Sequence, residues 1–293
     1  MLKKVILCPN PYRDTELRVA KEAKRILDEA RCPNVVCLPF RSDEKPEGYG
    51  LEIRPLQQEL RGADMLISFG GDGTILHLSK TAAHRELPVL GVNLGSLGFM
   101  AELEQTELTK LRELCRDNYT VEQRMMLDVC VQREGRTIYS GLALNEALIA
   151  RGNVSRVIRL HIYTENGKLV DVAGDGVVVS TPTGSTAYSL SAGGPVVEPT
   201  ASCCVVSPIC AHSVHANSYV LAPERTVTVQ TEKTGYKPVV LSVDGGRPFS
   251  LRNGDAVEIR RSRYVTRLVR LSNRSFCEIL QRKLQAGGNN DEK

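Results

Sequence analysis

Apolar and polar positions change rhythm near residue 121, and the two rhythms predict two kinds of architecture. Up to about Tyr119, short apolar runs at Val5–Cys8, Val35–Leu38, Met65–Phe69 and Val89–Val92 read as strands. Between them lie stretches with helical spacing. Thr15–Arg31 sets Leu17, Ala20, Ala23, Ile26 and Leu27 on a charged background, and Thr74–Ala83 and Leu108–Asp117 read as further helices. Alternating strands and helices predict a parallel sheet with covering helices. Beyond Val121 the period drops to two. Met126–Gln132, Thr137–Ala150, Val157–Tyr163, Thr226–Gln230, Val239–Val243 and Ala256–Arg260 read as strands of stacked sheets. Glu165-Asn166-Gly167 predicts a hairpin turn, because Asn-Gly readily takes positive φ. The expected fold is therefore an α/β amino-terminal domain (parallel sheet with helices) plus an all-β carboxyl-terminal domain. Leu268–Leu284 is expected to return to the first domain, giving residues 1–123 with 271–293 as one domain and 124–270 as the other. A disordered tail is expected at Gly287–Lys293.

Composition narrows the function classes. A net charge of +4 is too small to point to nucleic acid, and with no Trp and few aromatics there is little to stack on single strands. The apolar run after Met1-Leu-Lys-Lys is too short for a signal-peptide core. The longest uncharged stretch, Pro199–Pro223, contains Pro208, His212, His215 and Asn217, which a membrane span would not carry. Nine Cys without a Cys-x-x-Cys pair read as reduced thiols of a cytoplasmic protein. Cys203, Cys204, Cys210, His212 and His215 cluster without zinc spacing and read as apolar strand residues, so no protein-held metal is expected.

Three segments carry chemistry. Gly70-Gly71-Asp72-Gly73-Thr74 stands between a strand and a helix, where glycines let backbone N–H groups approach a phosphate beside a helix N-terminus. Asp72 repels phosphate, so it makes more sense as a proton acceptor or as an indirect contact to a metal ion. The plain alternative is a tight turn with an Asp cap, but two adjacent Gly followed by Asp-Gly exceed what a cap needs. A second glycine-rich connection, Gly91–Phe99, follows the next strand, so both loops can line one crevice at the strand ends. The third is Gly174–Pro195, where a buried strand delivers a loop crowded with hydroxyls and glycines suited to a polar ligand. Gly-x-Gly-x-x-Gly, Gly-x4-Gly-Lys-Ser/Thr and Gly-x-Ser-x-Gly patterns are all absent.

Taken together, Gly70–Thr74, Asn145-Glu146 and Asp175–Pro195 resemble the NAD kinase family in order and separation, from about Ile67 to Gly246. The resemblance implies a phosphotransferase that uses ATP or another donor, with Mg²⁺ or another divalent cation, to phosphorylate the 2′-hydroxyl of the adenosine ribose of NAD. It implies a two-domain protein with NAD bound between the domains, assembled as a homodimer or homotetramer. Asp72 would be the base, and Gly70, Gly71, Gly73 and Thr74 would bind the donor phosphates. Phe99 would lie against adenine, and Asn145 and Glu146 would hold adenine and ribose groups. Asp175 would receive the nicotinamide end, and Thr183, Thr186, Ala187, Tyr188 and Ser191 would complete the NAD pocket. The Ser207–Ser213 stretch also resembles the family, but Asn217-Ser218-Tyr219 stands where Arg-Pro is usual. Ser242-Val243-Asp244-Gly245 matches a recurring family turn, which a type I′ turn explains equally well.

Two other readings share part of the pattern. A diacylglycerol- or sphingosine-type lipid kinase would have the same phosphate loop, but it would also show a basic amphipathic helix, which is missing here. A non-catalytic nucleotide sensor would be marked by loss of Asp72, which is present.

Overall fold

Runs of residues buried on both faces build the parallel sheet of the first unit. In the computed structural model, residues 2–40, 46–95, 98–152, 157–212, 217–232, 238–272 and 274–288 are described. They divide into two compact units, Met1–Gln123 with Thr266–Lys293, and Arg124–Val265. The first unit begins with β1 (Val5–Pro9), α1 (Arg18–Glu29), β2 (Asn34–Val36) and α2 (Leu56–Glu59). It continues with β3 (Met65–Gly70), α3 (Asp72–His84), β4 (Pro88–Asn93) and β5 (Leu103–Glu104). The strands are parallel in the order β2-β1-β3-β4, with β5 beside β4. β1 and β3 are buried throughout, as expected where helices cover both faces.

Three boundaries differ from the periodicity, each for a local reason. α1 starts at Arg18 instead of Thr15, because Glu16 and Leu17 sit at φ 55° and 53°. The buried Asp14 carboxylate accepts the N–H groups of Val19 and Ala20, both at 2.9 Å, so this side chain sets the helix start. The expected helix at Leu108–Asp117 is a 3₁₀ helix over Gln105–Arg116. Its buried residues Leu108, Leu111 and Leu114 recur every third position, the period of that helix. α3 begins at Asp72, two residues before Thr74, so Asp72 opens the helix and is not part of a preceding loop.

The second unit is antiparallel. It holds β6 (Thr120–Arg133, entering from the first unit), β7 (Arg136–Ala143), β8 (Glu146–Arg151), β9 (Ile158–Thr164), β10 (Gly167–Gly174) and β11 (Gly176–Ser180). After the short α4 (Tyr188–Ser191) come β12 (Cys204–Ile209), β13 (Tyr219–Leu221), β14 (Val227–Thr231), β15 (Val239–Val243), β16 (Phe249–Leu251) and β17 (Ala256–Arg270). One sheet has the order β10-β9-β14-β17, with β6 joining β17 to β7; the other runs β13-β12-β11-β8-β15-β16. Their inner faces share one apolar core, in which Leu127, Val129, Leu160 and Val257 of the first sheet join Ile149, Val177 and Val206 of the second. The single strand expected over Thr137–Ala150 is interrupted at Leu144-Asn145 and becomes β7 and β8.

β17 carries the chain back to the first unit, where Arg267 and Leu268 pair in parallel with Pro88 and Val89 of β4. It leads to α5 (Phe276–Gly288). Gly287 and Gly288, expected in a disordered tail, belong to this helix; the rest of that tail, residues 289–293, lies outside the described residues. No helix among the described residues is long and apolar enough to cross a membrane.

The returning segment is held by charge. Buried Glu102 accepts the N–H groups of Leu271 (2.9 Å) and Ser272 (2.7 Å) and the Ser272 hydroxyl (2.6 Å), while Arg270 reaches its other oxygen at 3.3 Å. Arg274 grips both oxygens of Glu107, at 2.6 and 2.7 Å. Glu102→Ala would strand two N–H donors and leave Arg270, only 14% exposed, with less counter-charge. The expected loss of stability is about 3 kcal/mol. Urea denaturation checks it: a midpoint equal to that of the parent protein would mean the network holds nothing.

Candidate functional site

Because β1, β3 and β4 run parallel and in register, their carboxyl ends finish side by side. Pro9 lies opposite Phe69, and Gly70 lies opposite Asn93. The segments that follow these strands therefore meet in one crevice, the usual ligand position of an open α/β sheet. It has a volume of about 380 Å³ and is lined by Asn10 and Arg13 after β1, the whole of Gly70–Thr74 from the end of β3 into α3, Asn93–Gly95 and Gly98 from the end of β4 onward, Phe40, and Lys283 of α5. Asn10 ties two of these walls together, its side-chain amide donating to the Thr74 hydroxyl at 3.2 Å. No side chain caps α3, so N–H groups of its first turn stay available to an anion at the crevice floor.

Asp72 does not cap its own helix. Its carboxylate reaches across to the segment after β4, accepting the N–H of Phe99 at 2.7 Å on Oδ2 and those of Met100 and Ala101 at 3.1 and 3.3 Å on Oδ1. Gly98 is required by this contact, since a Cβ there would overlap the Asp72 carboxylate. A carboxylate has about four acceptor positions, so three donors leave it able to receive one more, from a ligand hydroxyl. The Phe99 ring stands 6.2 Å from the ring of Phe276 of α5 and lies under the Lys283 ammonium, 4.3 Å from the ring centroid.

Within the second unit, another carboxylate plays a similar part. Asp244 accepts the N–H groups of Leu144 (2.9 Å), Asn145 (2.8 Å) and Glu146 (3.1 Å), which breaks the strand between β7 and β8. Asp244 and Gly245 both have positive φ, as a type I′ turn requires. The Asn145 carbonyl accepts the Thr181 N–H at 2.9 Å and the Leu144 carbonyl accepts the Thr181 hydroxyl at 2.6 Å. Gly184 packs so closely on the Asn145 carbonyl that a Cβ would collide with it. The Asn145 backbone is thus fixed on all sides while its side chain remains half-buried.

The remaining residues named from the sequence fall around this loop or apart from it. Thr183 is buried, and its hydroxyl accepts from Arg124 at 3.3 Å. The Thr186 hydroxyl donates to the Thr183 carbonyl at 3.3 Å. Ala187 is half-buried, and Tyr188 and Ser191 on α4 are exposed. Asp175 forms an ion pair with Arg151 at 3.0 Å. Cys203 and Cys204 are buried, and burial pushes the Cys204 thiol up to about 12. His215 lies outside the described residues, among which no group of three or more His, Cys, Asp or Glu could hold a metal ion. Arg13, Lys283, Arg124 and Asp244 were not singled out as site residues from the sequence. For Asp244 the available signal was the Asp-Gly turn; the other three carry no local motif.

Glu146 is buried, with Oε2 unpartnered among the described residues. Burial pushes its carboxyl up to about 7, and the Asp244 carboxylate adds to the rise. Between the ordinary value of 4.5 and about 7, the folded chain holds a proton that the unfolded chain has released. Stability therefore falls as pH rises through that window and stays reduced above it. Glu146→Gln removes the charge, so at pH 8 it should be more stable than the parent by up to about 3 kcal/mol, a gain that shrinks towards pH 4.5. Urea denaturation at pH 5 and pH 8 tests this. An equal difference at both pH values would rule the ionisation out.

Comparison with known proteins gives this geometry its context. The ATP-NAD kinase N-terminal domain matches residues 5–119, and the ATP-NAD kinase C-terminal domain matches residues 144–271. The NAD kinase of Natranaerobius thermophilus is 38% identical over 289 residues, covering 98% of this chain and 99% of that protein. The NAD kinase of Symbiobacterium thermophilum is 42% identical over 222 residues, 75% of this chain and 78% of the relative. Among solved structures, yeast NADH kinase complexed with NADH aligns with a TM-score of 0.79 at 26% identity, covering 96% of this chain and 86% of that one. An NAD kinase from Archaeoglobus fulgidus in complex with ATP shares the fold, with a TM-score of 0.71 at 23% identity over 93% of this chain and 95% of the other. With both domains matched and a relative aligned along nearly its whole length, this chain belongs to the NAD kinase family.

Proposed function

We propose that the chain is an NAD kinase, transferring a phosphoryl group from ATP or another phosphate donor to the 2′-hydroxyl of the adenosine ribose of NAD, to give NADP. The observation that carries this reading is the Asp72 carboxylate, held by three N–H donors at the mouth of the α3 turn inside a crevice lined by glycines. A ribose hydroxyl is a poor nucleophile, and phosphoryl transfer depends mainly on alignment and charge neutralisation. Asp72 accepts the proton of the 2′-hydroxyl as its oxygen bonds to the terminal phosphorus. The bridging P–O bond to the donor breaks, and its electron pair leaves with the shortened phosphate. Gly70, Gly71, Gly73 and Thr74 shape the phosphate-binding turn. Asn145 and Glu146, on the loop that Asp244 fixes, take adenine and ribose groups. Phe99, Asp175, Thr183, Thr186, Ala187, Tyr188 and Ser191 supply the other NAD contacts.

Mg²⁺ or another divalent cation belongs to this reading as part of the donor. Asp72 is the one carboxylate among the described residues that line the crevice, and it is already committed to three N–H groups, so the donor set fits a cation carried on the phosphates better than a resident one. When bound, the cation would offset donor charge as the bridging bond breaks. The reading also includes a cytoplasmic protein assembled as a homodimer or homotetramer. Self-association is supported by the edge strand β13, where Val220 is 57% exposed.

Asp72→Asn tests the base. An amide keeps one acceptor oxygen but turns an NH₂ group towards backbone donors, so both proton acceptance and the Phe99–Ala101 segment are affected. NADP formation from NAD, ATP and Mg²⁺, coupled to an NADP-specific dehydrogenase, should fall by about 10²- to 10⁴-fold. NAD binding should persist. Turnover near that of the parent enzyme would remove Asp72 from the role.

A further inference from the structure

The crevice contains more positive charge than its family motif explains. Of the charged side chains among the described residues that line it, Arg13 and Lys283 are cations and Asp72 is the single carboxylate. Among the described residues, neither Arg13 nor Lys283 has a salt bridge with a carboxylate, whereas several other cations of the first unit do: Lys4 with Glu59, Arg270 with Glu102, Arg274 with Glu107. Two cations facing one cavity with no carboxylate partner among the described residues repel each other, so their placement suits an anion from outside.

The backbone of Arg13 and the ammonium of Lys283 are held in position. Arg13 sits in a tight turn where its N–H and that of Asp14 donate to the Asn10 carbonyl at 2.9 and 2.8 Å, while the Asn10 side chain accepts the Tyr12 N–H at 3.1 Å. Lys283 lies over the Phe99 ring, 4.3 Å from its centroid, a contact that fixes an ammonium without neutralising it. Phe276, two turns earlier on the same face of α5, packs against the same ring. Further back, the Glu102 and Glu107 networks anchor Arg270–Arg274, the segment that leads into α5. One more feature marks the crevice as built for an occupant. Asn93 lines it with a buried side-chain oxygen that has no partner among the described residues, ready for a ligand hydroxyl.

We propose that Arg13 and Lys283 together grip the phosphate chain of the donor, which makes the carboxyl-terminal helix α5 a working part of the donor site. The ligand class is a linear oligophosphate, free or attached to a nucleoside. α5 lies beyond residue 271, where the matched family domain ends. The assignment rests on the proposed kinase reading for its biological meaning, but not for its chemistry. Without the two cations, a triphosphate entering this crevice would meet, among the described charged side chains, only the Asp72 carboxylate, with uncharged donors and the start of α3 to receive it. With them, the net charge of the lining is positive and the phosphate nearest Asp72 can be drawn close to it.

Steady-state kinetics and direct binding test the proposal together, using Lys283→Met, Arg13→Met and the charge-preserving Lys283→Arg. Each neutral variant should raise KM for ATP by about tenfold or more while KM for NAD stays at the parent value, and Lys283→Arg should restore most of the loss. Inorganic tripolyphosphate, titrated calorimetrically without NAD, should bind the parent protein and lose affinity by a similar factor in each neutral variant, with a shallower salt dependence. Unchanged ATP KM and unchanged tripolyphosphate affinity would overturn the grip even if NADP is made normally. Weakening for ATP alone would overturn it too, since the cations would then be reading the nucleoside. If the parent made no NADP yet lost tripolyphosphate binding on Lys283→Met, the kinase reading would fall and the phosphate site would stand.

Discussion

The arrangement of the first unit's crevice depends on one interaction, the Asp72 carboxylate spanning from the start of α3 to the backbone of Phe99–Ala101. Asp72 follows directly on the turn after β3, and Phe99 belongs to the segment after β4, so this carboxylate joins the connections of two neighbouring strands. Gly98 must lack a side chain for the contact to form, and Phe99 is thereby set where α5 can pack on it through Phe276 and Lys283. A carboxylate used this way has its position determined by the backbone on both sides. That suits a proton acceptor, whose reach matters more than its mobility.

The second unit repeats the device with a different carboxylate. Asp244 gathers three consecutive N–H groups at Leu144–Glu146 and so removes them from the β7–β8 ladder. What is lost in strand pairing is returned as charge-assisted hydrogen bonds, and the chain gains a rigid kink from which Asn145 and Glu146 project. The same charge acts on its neighbour: Asp244 adds to the burial that already raises the Glu146 carboxyl to about 7. One residue thus both shapes the loop and makes an ionised Glu146 costly, which favours a protonated carboxyl that can donate a hydrogen bond as well as accept one.

Local order was legible in the sequence, and long-range placement was not. The strand runs at Val5, Met65 and Val89, and the change of period near Val121, mark the two kinds of sheet because burial on one or two faces writes directly into the pattern. Gly70–Thr74 could be read as a turn shaped for phosphate because the relevant backbone is contiguous. The break at Leu144-Asn145 could not, because the carboxylate that causes it belongs to a turn far along the chain. The 3₁₀ helix at Gln105–Arg116 was written in its leucines at every third position, a period easily mistaken for part of the α-helical one. Arg13 and Lys283 have ordinary neighbours in sequence, and only the parallel register of β1, β3 and β4, with the return of β17 and α5, brings them to one crevice.

The cost of this arrangement is concentrated where a ligand would relieve it. Among the described residues, four buried side-chain atoms lack a partner: Ser68 Oγ, Asn93 Oδ1, Glu146 Oε2 and Ser180 Oγ. Asn93 lines the crevice, Glu146 projects from the loop fixed by Asp244, and Ser68 and Ser180 lie just ahead of Gly70 and Thr181 in the strands that deliver those loops. Elsewhere the fold satisfies its buried polar groups with care: Glu102 takes on four donors, and the buried Asp255 is held bidentately by Arg133 at 2.8 and 2.7 Å. A fold able to meet those needs has no packing reason to leave acceptors open at Asn93 and Glu146, and among the described residues Arg13 and Lys283 in the crevice have no carboxylate partner. In the first unit's crevice the open acceptor of Asn93 suits a ligand hydroxyl and the cations Arg13 and Lys283 suit an anion, while Glu146 offers a separate open acceptor on its own loop in the second unit.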